Sequence, residues 1–166
     1  NNTHFLVEAN PLSVSLKKNY EIDLFKDYYV YSGILSTLKT NNKVLNVVGS
    51  IYADENGLDN CVLLNEKKQV VEALNANIFL VKGKHIVTPP LSEGCLKGVF
   101  RKNLLELVSK DDTLTIEEKV ISPFELQKTD EIFFTNAIVG IQPVSKYRKK
   151  EFTSEIAFYL RDKMNL

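Results

Sequence analysis

A chain of 166 residues, 44% hydrophobic and one quarter charged, is sized for one globular domain with a core of its own. Its 21 basic side chains balance 21 acidic ones, so no net field steers it toward nucleic acid or an acidic membrane surface. No run approaches the roughly 18 apolar residues of a membrane span, and the opening NNTHFLVEAN lacks a basic segment followed by an apolar one, so a cytoplasmic protein with neither nucleic-acid nor membrane partners is expected.

In chain order, Asn1-Asn2-Thr3 matches a glycosylation sequon, which carries little weight at a chain end without a leader. His4 to Glu8 and Tyr20 to Phe25 alternate apolar residues and predict two strands, separated by Asn10-Pro11 and Lys17-Lys18-Asn19. Tyr28 to Leu35 is aromatic and β-branched, which places Lys39 at or just after a strand end among apolar neighbours. Val44, Val47, Val48 and Ile51 fall at helical spacing, and Asn56-Gly57 supplies a helix stop. Cys61 to Leu64 and Gln69 to Glu72 predict a hairpin that ends on Glu72; Asn77 to Val81 and His85 to Val87 predict another around Lys82-Gly83-Lys84.

Leu96 to Val108 predicts a helix whose first turn, Lys97-Gly98-Val99, exposes amides suited to an anion. Leu114 to Ile121 predicts a strand, Ser122-Pro123 a helix start, Ile132 to Thr135 and Ile138 to Val144 two further strands, and Glu151 to Met164 a closing helix. Strand pairs broken by single helices favour an α+β fold, a mixed, barrel-like β-sheet flanked by helices, over a doubly wound one. There is no GxGxxG, no GxxxxGK[ST] and no GxSxG.

Cys61 and Cys95 form no CxxC pair and read as buried reduced thiols, and no metal site is expected. His4 and His85 stand alone, without metal-ligand spacing. Glu93 and Glu117-Glu118 read as acids on solvated faces. Lys39 and Glu72 remain as chemical candidates, although taken singly they read as a surface lysine and a strand-end acid.

The collinear order Thr37-Leu38-Lys39-Thr40-Asn41-Asn42-Lys43, Val71-Glu72, Asn77-Ile78-Phe79, Thr88-Pro89-Pro90-Leu91, Gly94-Cys95-Leu96-Lys97-Gly98-Val99-Phe100-Arg101, Thr135-Asn136 and Gly140-Ile141-Gln142-Pro143-Val144 resembles the class-IV aminotransferases, the fold-type IV pyridoxal-phosphate enzymes. The likeness spans about residues 35 to 145 and implies pyridoxal 5'-phosphate as cofactor. It implies Lys39 as the catalytic lysine that binds the cofactor's aldehyde and moves the substrate proton, and Glu72 as the acid facing the pyridine nitrogen. Backbone at Gly98, Val99 and Phe100 would hold the phosphate, with Asn77, Asn136 and Ala137 lining the cofactor.

Phe100 and Ala137 depart from the family pattern, which tends to carry hydroxyls there, and Leu74 stands where a small residue is common. The resemblance also implies that residues 1–166 are one cofactor-binding domain, the C-terminal part of a longer two-domain enzyme, which would bind cofactor poorly alone. Within the family the motifs look more like aminodeoxychorismate lyase, releasing pyruvate to leave 4-aminobenzoate, than like branched-chain or D-amino-acid aminotransferase. A small amino-acid-like substrate and a homodimer are implied too. The missing hydroxyls leave a cofactor-free binding or assembly module as the reading from another class.

Overall fold

The computed structural model describes residues 3–166, so the two asparagines of the sequon lie outside the described residues. The elements in order are β1 (Glu21–Val30), α1 (Val44–Glu55), β2 (Asn60–Asn65), β3 (Val70–Ala73), β4 (Asn77–Lys82), β5 (His85–Thr88), α2 (Val99–Val108), β6 (Thr115–Glu118), β7 (Glu131–Asn136), β8 (Gly140–Pro143), β9 (Lys146–Tyr147), β10 (Lys150–Glu151) and α3 (Glu155–Lys163). Short 3₁₀ turns occupy Leu91–Glu93 and Pro123–Gln127.

Two five-stranded sheets result, ordered β10-β9-β1-β2-β3 and β6-β5-β4-β7-β8. Both are mixed: β1 runs parallel to β2 and β9, β5 parallel to β6, and the remaining pairs are antiparallel. The main core lies between them, joining Val62, Leu64 and Ala73 of the first sheet to Ile78, Leu80 and Phe134 of the second. Alternate residues of β4 and β7, Phe79, Val81 and Phe133, face outward and are covered by α2 and α3. A strand buried on both faces needs apolar residues at every position, which is why β4 reads as a continuous run. α1 covers the outer face of the first sheet through Gly49 and Ala53. The barrel-like α+β expectation is met.

Several boundaries differ from expectation. His4 to Glu8 forms no strand, because no sheet edge pairs with it. Residues 28–30 continue β1 rather than start a new strand, and a turn over residues 33–38 separates them from Lys39. α2 starts at Val99 rather than Leu96, since Leu96 is held by the Asn77 and Glu72 side chains outside the helix and the Lys97 N–H by the Thr37 carbonyl. The final helix starts at Glu155 because Lys146 to Glu151 forms a small hairpin. Both cysteines are buried and unpaired. Among the described residues no helix is long and apolar enough to cross a membrane.

Candidate active site

Glu72 sits at the centre of the site. It lies on β3, paired with Leu63 of β2, and shares the α1-facing side of the sheet with Leu63 and Leu74. The residue is only 9% exposed, and its Oε2 accepts the Leu96 N–H at 2.8 Å. Burial pushes the carboxyl up to about 7, against the opposing pull of the Leu96 amide and the Lys43 and Lys39 charges.

Leu96 joins two of the expected residues, since its carbonyl accepts the Asn77 Nδ2 donor at 2.9 Å. Gly98 makes this possible: a Cβ there would lie 2.3 Å from Asn77 Oδ1. The same glycine begins α2 without any side-chain cap. The first backbone bond of that helix runs from Lys102 N–H to the Gly98 carbonyl at 3.1 Å, so the Val99, Phe100 and Arg101 amides precede it and have no helical acceptor. Three amides at the positive end of a helix suit a phosphate.

The adjoining Lys97 N–H donates to the Thr37 carbonyl at 3.0 Å and tethers the segment that carries Lys39. Lys39 itself is exposed, as is Leu38, so the apolar setting expected of this lysine is not provided by the chain's own fold. Lys43 is half-buried, and neither lysine forms an ion pair among the described residues.

Asn136 ends β7. Its Oδ1 accepts the Ile138 and Val139 amides at 2.9 and 2.8 Å, and its Nδ2 reaches the Asn75 carbonyl at 3.4 Å. Ala137 is exposed in the turn that follows. Phe100 and Ala137 come together, lining a cavity of about 230 Å³ with Val14, Leu16, Gly140 and Arg161. A larger concavity, about 550 Å³, lies elsewhere, between the C-terminal end of α2 and α3 near Asp111 and Tyr159, and contains none of the expected residues.

One acid is not placed as expected. Glu93 is buried, accepting Asn65 Nδ2 at 2.8 Å and fastening the 91–93 turn to β2, because an acid facing a buried asparagine is satisfied without water. Glu117 and Glu118 are exposed as expected; Glu118 also pairs with the buried Arg101 guanidinium, and Glu117 meets His85 Nε2 at 3.1 Å. Two further residues join the site. Lys43 lay inside the quoted motif without a role. Thr135, 1% exposed, pairs with Asn77 across β4 and β7, and its hydroxyl has no partner among the described residues. The β4–β7 register is a long-range pairing, and no local pattern signals it.

Comparison with known proteins follows the same lines. The family described as Amino-transferase class IV matches residues 2–147. A Thermotoga maritima protein named "Probable branched-chain-amino-acid aminotransferase" is 36% identical over 94 residues, 57% of this chain and 34% of that protein. Aminodeoxychorismate lyase of Vibrio harveyi is 29% identical over 112 residues, 68% and 41% of the two chains. The fold is similar to the crystal structure of branched-chain aminotransferase from Thermoproteus uzoniensis, with TM-score 0.83 at 23% identity, covering 90% of this chain and 52% of that one. The chain spans about a third of the length of the curated relatives it matches, from 28% to 37% in three of them.

Proposed function

The chain belongs to the amino-transferase class IV family, and on that premise we propose that it is the cofactor-binding part of a pyridoxal 5'-phosphate enzyme acting on an amino-acid-like substrate. The observation that carries this reading is the buried Glu72, anchored by Leu96 beside an uncapped helix start, with Lys39 and Lys43 as its opposing charges. The donor set fits the cofactor: amides for a phosphate, an acid for a ring nitrogen, and a lysine held in an adjoining loop. When bound, the cofactor supplies an electron sink for the pair left when the substrate loses its α-proton.

The protein's own residues then divide the work. Leu96 occupies Glu72 Oε2, which leaves Oε1 to hold a proton at the ring nitrogen. The Val99, Phe100 and Arg101 amides bind the phosphate, the expected Gly98 amide being engaged by the Leu96 carbonyl at 2.8 Å, with Phe100 and Ala137 contributing no hydroxyl. The unpartnered Thr135 hydroxyl lies on the strand face shared with Asn77. Lys39 Nζ takes the α-proton and returns it.

Among reaction classes we take aminodeoxychorismate lyase first, on the Lys39-x-x-Asn42 spacing and the Thr135-Asn136 to Val144 motif, with the lyase-named relative in support. Branched-chain or D-amino-acid aminotransferase is the second reading, which the higher identity to the aminotransferase-named relative favours. Residues 1–166 act as one domain, completed by an N-terminal domain that contributes a basic phosphate contact. A cytoplasmic setting accords with two buried free thiols, and a homodimer with the apolar surface described below.

The test is borohydride trapping with excess pyridoxal phosphate, followed by peptide mass mapping. A single pyridoxyl group on Lys39, lost in Lys39→Ala, is expected. No label, or label spread evenly over exposed lysines, favours the cofactor-free module. Pyruvate release against 2-oxoglutarate-dependent transfer then separates lyase from aminotransferase.

A further inference from the structure

α1 begins badly by local rules. Its N-cap is Lys43, which makes no capping bond, and its first turn holds no acid. A cation there opposes the helix dipole, and serine, threonine, aspartate or asparagine would serve better. A local rule broken this plainly points to another use for the side chain.

The seating of α1 shows where that side chain stands. Asn46 Nδ2 donates to the Leu74 carbonyl at 2.6 Å, and Gly49 packs against the Leu74 side chain. The C-terminal half of the helix, through Ser50 and Asp54, lies beside Asn75 and Asn60. The N-terminal turn therefore runs back along β3 from Leu74 toward Glu72, which lies two residues earlier on the same strand face. Lys43 is one turn before Asn46 on the same side of the helix.

We propose that Lys43 is a positioning residue, its ammonium standing over the α1-facing side of Glu72 and supplying the counter-charge that keeps this carboxylate anionic and oriented. The role rests on reading Glu72 as the acid that faces the cofactor ring. Of the charged groups nearby, Lys43 acts on Glu72 more strongly than Lys39 does. The Cys95 thiol, pushed up to about 12 chiefly by burial, stays neutral, and Arg101 is engaged by Glu118. Lys39 is thus left free for proton transfer while Lys43 carries the electrostatic load.

The test is a pH titration of the Glu72 side-chain carboxyl by ¹³C NMR, without cofactor, in wild type, Lys43→Met, Lys43→Arg and Lys39→Met. Lys43→Met should raise the midpoint by about one pH unit, Lys43→Arg should restore it, and Lys39→Met should move it less. A folded Lys43→Met with an unchanged midpoint, or a larger shift in Lys39→Met, overturns the proposal. Lys43→Gln carries the same measurement should the methionine variant unfold. Because no cofactor is present, failure of the trapping experiment would sink the functional reading without altering this result.

Discussion

A carboxyl that titrates near 7 is a folding liability as well as a chemical tool. Glu72 in an unfolded chain titrates near 4.3, and burial raises it to about 7 in the folded protein. The folded state therefore binds the extra proton between these values, and stability falls as pH rises through that window. The contribution is fully present below the lower value and lost above the upper one, a span worth about 3 kcal/mol. Glu72→Gln should remove this dependence, so urea denaturation should show the variant gaining on wild type by up to about 3 kcal/mol between pH 4 and pH 8. Parallel curves for the two proteins would exclude it. Burial shifts the thiols the same way, pushing Cys61 up to about 11 and Cys95 up to about 12, so neither is a nucleophile at neutral pH. Iodoacetamide should leave both unmodified in native protein at pH 8 and label both in urea, as read by mass spectrometry.

At the scale of elements, α3 depends on one acid outside it. The buried Glu131 at the start of β7 accepts the Ile156 and Ala157 amides at 2.9 and 3.1 Å, closing the first turn of the helix. Glu131→Ala should cost about 2 kcal/mol in chemical denaturation, with Glu131→Gln losing less because its carbonyl still accepts. Hydrogen exchange at Ile156 and Ala157 should accelerate in the alanine variant; unchanged exchange would rule out the capping role. The existence of α3 was legible in its periodicity, but this cap was not, since it joins residues 25 apart. The same division holds at the site. Glu72, Asn77 and Gly98 were legible from motif order, whereas the Leu96 bridge between them depends on a turn geometry that composition does not specify. The β4–β5 hairpin was legible because Gly83, at φ 58, meets a local conformational need. The failed His4 to Glu8 strand had alternation but no partner edge.

For the whole molecule, α1 inverts the expectation its own pattern creates. Val44, Val47, Val48 and Ile51 are the apolar stripe that marks it as a helix, yet they are 69%, 56%, 38% and 53% exposed. The face that meets the sheet is instead built on Gly49 and Ala53, small enough to bring the helix close. Tyr31, Ile34, Leu35 and Leu38, in the segment leading to Lys39, are exposed as well. A soluble monomer rarely leaves so much apolar surface open, and an assembly face is the usual reason. Covering it would also give Lys39, which lies between Leu38 and Val44, the water-poor surroundings that a proton-transferring amine needs and that the chain alone does not supply. The two charges in Val47→Glu/Ile51→Glu should then convert the proposed homodimer to a monomer, as read by light scattering. Trapping at Lys39 should weaken in parallel. A variant that keeps the wild-type mass would show that this face is not where the copies meet.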